Sequence, residues 1–179
     1  MAYPLLPTQK MILAIALLAW LGACVVFDLR SRQVPMPLTV IPMILAAAWR
    51  LFQGGWQLVL LTVVLTLISD LPQVKWRFPI GCCTAIVGLS VAGPPDMVYT
   101  MLVIFAVWAL WEIGATGGAD AKIIITLVLL FADGLLFIPI VLIGGVQGLA
   151  ALIAKRKTIP YTVAITLGTA AWLWMAAIR

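Results

Sequence analysis

Apolar runs separated by short polar breaks occupy this chain from one end to the other. They lie at roughly 11–27, 37–52, 56–71, 78–93, 97–114, 121–137, 138–154 and 160–178. A helix needs about 20 apolar residues to cross the hydrocarbon core of a bilayer, with a lower range near 17. The third and fourth runs are short, which suits tilted helices or a re-entrant pair, and the division near Phe137-Ile138-Pro139 is soft. The expected fold is all-α: a polytopic transmembrane bundle of about eight helices, or six if one pair fails to span. Composition agrees, since 65% of the 179 residues are hydrophobic, 9% are charged and the mean hydropathy is +1.20. A soluble domain of that content would lack the charge to cover its surface. No polar stretch is long enough for a separate soluble domain, so residues 1–179 read as one integral-membrane unit.

The net charge of +5 does not point to nucleic acid, because the basic residues sit in short breaks between apolar runs, where they set membrane topology. With the N-terminus outside, the cytosolic loops hold Arg30, Arg32, Lys75, Arg77, Lys122, Lys155, Arg156 and Lys157. The outside keeps Lys10, Arg50 and Arg179, a ratio of eight to three that fits the positive-inside bias. Losing one helix pair leaves that parity unchanged. The three cysteines, Cys24, Cys82 and Cys83, lie in apolar runs without metal-ligand spacing. With no histidine and no CxxC pair, no zinc site and no cofactor are expected. Lys10, the run Met11–Trp20 and Leu21-Gly22-Ala23-Cys24 imitate a lipoprotein signal, although small-residue runs of this kind are common inside transmembrane segments.

Only six residues are acidic. Carboxylates are costly near a bilayer and tend to persist there when they have a task. Asp120 stands in Gly117-Gly118-Ala119-Asp120-Ala121-Lys122, at the entrance to an apolar run. The helix dipole favours an ionised aspartate at that position, and the glycines allow unusual backbone or close approach by another chain. A plain capping residue after a turn explains the same pattern. Lys122 either snorkels to lipid headgroups or biases the local potential. Asp28 closes the first run in Phe27-Asp28-Leu29-Arg30-Ser31-Arg32-Gln33-Val34-Pro35. A solvated loop aspartate would look similar, but Pro35 and Pro37 stop the first helix and aim the second, giving a rigid turn behind Asp28. The inferred topology puts both aspartates on the cytosolic side.

These motifs resemble the type IV prepilin peptidases and their archaeal preflagellin-peptidase relatives, aspartic proteases of the membrane. Members carry an aspartate followed by a short basic loop and Ile/Val-Pro, similar to Asp28 through Pro35. A second aspartate lies in a Gly-x-Gly-Asp-x-Lys motif, similar to Gly117 through Lys122. A late Ile-Pro-aromatic segment opening the final helix looks like Ile159-Pro160-Tyr161-Thr162-Val163-Ala164-Ile165. The three landmarks follow the family's order. This chain departs from it in having Ala119 for a glycine and an added hairpin around Trp56–Gly93. It also lacks the cysteine-rich segment of the larger bifunctional enzymes, so no methyltransferase or zinc-binding domain is implied.

The resemblance implies a membrane-embedded aspartic endopeptidase with Asp28 and Asp120 as the catalytic pair. It implies removal of a short basic leader from a type IV pilin-like or archaellin-like precursor at the cytosolic membrane face. The partners are then that precursor and the lipid bilayer, with no nucleic acid. Gly117, Gly118, Lys122 and Pro35 would position the site. Glu112, five residues before Gly117, could meet the basic leader, as could Asp70; an interfacial carboxylate paired with a nearby basic residue accounts for Glu112 equally simply. Asp96 reads as an outside turn and Asp133 as the far end of the sixth helix. The eight tryptophans suit interfacial belts and helix packing, with no catalytic role.

Two rivals remain in view. Presenilin-like enzymes share a Gly-x-Gly-Asp aspartate but carry Pro-Ala-Leu and Tyr-Asp motifs that are missing here. A small transporter or assembly factor could use the aspartates to hold a proton or cation, though its acids should lie near the midplane rather than at segment ends.

Overall fold

The computed structural model describes residues 7–70, 74–154 and 160–178. They form eight α-helices: α1 (Pro7–Ser31), α2 (Met36–Phe52), α3 (Trp56–Ser69), α4 (Val74–Ser90), α5 (Pro95–Glu112), α6 (Gly118–Phe131), α7 (Phe137–Ile153) and α8 (Tyr161–Ile178). A 3₁₀ turn at Gly134–Leu136 leads into α7, and no strand occurs among the described residues. Among the described residues, three segments are long and apolar enough to cross a membrane: Met11–Ser31, Pro95–Glu112 and Gly134–Ile153. Met36–Phe52, Trp56–Ser69 and Tyr161–Ala177 are apolar but shorter. The basic loop Lys155-Arg156-Lys157 and Ile159 of the third landmark lie outside the described residues.

The chain divides into two compact units. One comprises residues 1–38 and 136–179, and the other residues 39–135. In the first, α8 packs against both α1 and α7. Gly168 makes the α7–α8 approach close: a Cβ there would lie 2.6 Å from Ile140 Cα and 2.7 Å from its nitrogen. Small residues serve this purpose where helices meet without a hydrophobic drive between them. The other face of α7 carries exposed Ile138, Val141, Leu142, Val146, Leu149 and Leu152. A contiguous apolar stripe of that length is foreign to a water-facing helix.

In the second unit α6 is the core. Residues Ile123 through Leu129 are all buried, so the helix is enclosed all round by its neighbours. Trp108 of α5 is fully buried and stacks against Phe78 of α4, with centroids 6.1 Å apart. Its indole N–H donates to Ser69 Oγ at 3.0 Å, so the polar edge of a large core side chain is satisfied. The sixth apolar run was expected to reach residue 137, but the helix stops at Phe131. Ala132 adopts the left-handed conformation (φ 49°), and Asp133 Oδ1 then accepts the backbone N–H of Leu135 at 2.8 Å.

Candidate active site

Asp28 lies inside α1 rather than at its end. Leu29, Arg30 and Ser31 contain no helix breaker, and the helix runs on to Ser31. Termination comes from Arg32, which is left-handed (φ 56°) and donates its N–H to Asp28 O at 3.0 Å. Ser31 Oγ seals the turn with hydrogen bonds to Phe27 O and Gln33 O, at 2.8 and 2.9 Å. Pro35 stands immediately before α2, its carbonyl accepting Leu38 N–H at 2.9 Å. The indole of Trp20 reaches from α1 to Leu38 O at 2.8 Å and pins the start of α2.

The half-buried carboxylate of Asp28 meets α8. Thr162 Oγ1, in the first turn of that helix, donates to Asp28 Oδ2 at 2.7 Å, and Thr162 itself is buried. Neighbouring Tyr161 packs its ring against Gly144 of α7, and Gln147 Nε2 donates to Pro160 O at 3.0 Å. The start of α8 is thus tied to α7 while its second residue holds Asp28. Thr162 belongs to the third landmark, but the resemblance alone does not single it out as a candidate site residue. The available signal was a hydroxyl placed directly after the Pro-aromatic step.

In the second unit, the turn between α5 and α6 spans residues 113–117. Its one left-handed glycine is Gly114 (φ 75°), whose N–H bonds Trp111 O at 2.9 Å. Gly117, the N-cap of α6, is extended (φ −67°, ψ 145°), a conformation open to any residue. Its glycine is explained by space instead: a Cβ would sit 3.1 Å from Asp120 Oδ2. Asp120 occupies the third helical position and folds its carboxylate back toward the N-cap, as the acid of a capping box does. The first-turn dipole adds to that preference.

Gly118 makes room for Trp111. A Cβ there would lie 2.9 Å from the indole Nε1. One helical turn later, Lys122 Nζ stands 5.5 Å from the centroid of the same ring, within cation–π range. Gly118 and Lys122 therefore meet the same residue, Trp111, from one face of α6. Glu112 pairs with Arg77 of α4 at 3.9 Å, and the two side chains are 10% and 23% exposed. Thr116 Oγ1, just before Gly117, is buried without a hydrogen-bond partner among the described residues. Asp28 and Pro35 belong to the first unit; Glu112, Gly117, Gly118, Asp120 and Lys122 belong to the second.

No family model matches the chain, and neither a curated protein nor a solved structure matches it.

Proposed function

We propose that this chain is a membrane-embedded aspartic endopeptidase that removes the basic leader of pilin-like or archaellin-like precursors at the cytosolic membrane face. Asp28 and Asp120 are its carboxylate pair. The observation that carries the reading is the hydrogen bond from Thr162 to Asp28, which links the first and third family landmarks. A solvated loop aspartate needs no such partner. The fitted turn around Asp120 adds support, because Gly117, Gly118 and Lys122 each meet a specific neighbour there.

In the proposed reaction one carboxylate takes a proton from water as that water adds to the scissile carbonyl, and the C–N bond of the adduct then breaks as a carboxyl proton passes to the leaving amine. The other, protonated, donates a hydrogen bond to the carbonyl oxygen. The two roles need one carboxylate ionised as the base and the other protonated as the acid. Thr162 fixes the rotamer of Asp28 by occupying Oδ2, leaving Oδ1 for the proton or the water. A basic leader stays in the aqueous phase while the hydrophobic helix behind it remains in lipid, which brings the scissile bond to the membrane boundary.

The test is incubation of the detergent-purified chain with a precursor bearing a basic leader and a hydrophobic helix. The reading expects one cut between leader and helix, located by product mass. Intact precursor at enzyme concentrations that retain folded protein would overturn it.

A further inference from the structure

The end of the second unit opposite the α5–α6 turn contains a cavity of about 210 Å³ with a mixed polar and apolar lining that includes Arg50, Gln53, Gln57, Asp96 and Thr100. None of these residues has a part in the proposed peptidase site. The cavity lies where α2 ends, α3 and α5 begin, and α6 ends, so it opens at the mouth of the helices rather than along their apolar sides.

Arg50 is its principal cation. Nη1 is held by Gln53 Oε1 at 2.7 Å, while Nε is buried with no hydrogen-bond partner among the described residues. That atom lies over Gly55, where an added Cβ would come within 2.5 Å of it. Gly55 is the N-cap of α3 and supplies no side-chain cap. The first N–H groups of a helix lack intrahelical acceptors, and they favour an anion. Arg50 and the N-terminus of α3, which has no side-chain cap, thus line one wall of the cavity. Asp96 lines the same cavity and is exposed, in the first turn of α5. A simple anion would be repelled by it, whereas a ligand with separate negative and positive ends uses both walls. Around the turn stand exposed Trp49, Phe52 and Trp56, Phe52 at 90%. Aromatic residues of this kind anchor helix ends at the lipid–water interface.

We propose that this cavity binds the head group of a zwitterionic phospholipid, its phosphate on Arg50 and the α3 N-terminus and its ammonium on Asp96. A primary ammonium, as in phosphoethanolamine, can donate to the carboxylate; a quaternary one cannot. The inference rests on the reading of the chain as bilayer-embedded and is independent of its peptidase activity.

The experiment is native mass spectrometry of the detergent-purified chain with phosphatidylethanolamine or phosphatidylglycerol of identical acyl chains. One phosphatidylethanolamine should be retained per chain, at least about tenfold more tightly than phosphatidylglycerol, a difference near 1.4 kcal/mol. Arg50→Gln should weaken both by about tenfold or more. Asp96→Asn, at an exposed position, should keep the fold and abolish or reverse the preference. Equal binding of the two lipids by the wild type, or an unchanged preference in Asp96→Asn, overturns the proposal. Glycerophosphoethanolamine competing at the same concentration as the lipid would overturn the lipid source and assign the cavity to a soluble zwitterion. No readout here involves cleavage, so failure of this site and failure of the peptidase reading are separate results.

Discussion

Thr162 donates its hydroxyl to Asp28 Oδ2 at 2.7 Å across 134 residues of sequence, joining the first turn of α8 to the last turns of α1. A buried hydroxyl devoted to a carboxylate is a positioning contact, and a hydrogen bond to a charged group contributes roughly 1.5–3 kcal/mol. Thr162→Val keeps the shape and removes the donor. Cleavage kcat should fall about tenfold or more with KM little changed, and Thr162→Ser should recover most of it. A rise in KM alone would mean that Thr162 touches substrate instead.

The contact between Gly118 and Trp111 makes a second expectation. A valine at 118 must displace the indole, whose Nε1 would lie 2.9 Å from the new Cβ, and must disturb the Lys122 cation–π contact beyond it. Overpacking of this kind costs typically about 1–3 kcal/mol. Leader cleavage by Gly118→Val should be severely reduced at matched membrane abundance, whereas Ala119→Gly should be tolerated. Equal, wild-type cleavage by both would reduce the glycines to a connector.

Glu112 has two candidate roles that one comparison separates. Paired with Arg77 at 3.9 Å, a long contact, it should show a coupling of about 1 kcal/mol or less in a thermal-stability double-mutant cycle with Arg77→Gln. If Glu112 meets the basic leader as well, Glu112→Gln should raise KM severalfold for a leader rich in lysine and leave KM unchanged for a neutralised one. An unchanged KM for both leaders would restrict Glu112 to its ion pair.

Helix positions were largely legible because hydrophobic runs and their breaks are coarse signals. The second run, read as 37–52, is the helix Met36–Phe52, and the third, read as 56–71, is Trp56–Ser69. The end of α6 was hidden because a left-handed alanine leaves no mark in the sequence; Gly134 two residues later was the only hint. Hydropathy drops at Asp28 and marks it as the close of its run, yet polar residues extend a helix as well as apolar ones do until a turn stops them. Of the candidate site, spacing singles out the aspartates and glycines but not the neighbours they meet. Thr162 and Trp111 are ordinary residues in an apolar chain, and only the packing reveals what they face.

Membrane topology gives a fourth expectation. With Cys24, Cys82 and Cys83 replaced, single cysteines at exposed Gln33 and Ala115 should react with an impermeant thiol reagent from the cytosolic side only. One at exposed Gly93 should react from the opposite side. Opposite sides for Gln33 and Ala115 would make a shared site for Asp28 and Asp120 impossible.

The proposed carboxylate pair is tested most directly by leader cleavage with Asp28→Asn, Asp120→Asn and the double variant. Asparagine preserves size and, at 120, an oxygen that can still reach back to the N-cap, so folding and abundance should be nearly unchanged. Groups that act as a unit are non-additive. Each single variant should therefore lose cleavage by about 10³-fold or more, and the double variant should be no worse than either. Substantial cleavage by either single variant, at wild-type abundance, would contradict the account by removing that aspartate from the reaction.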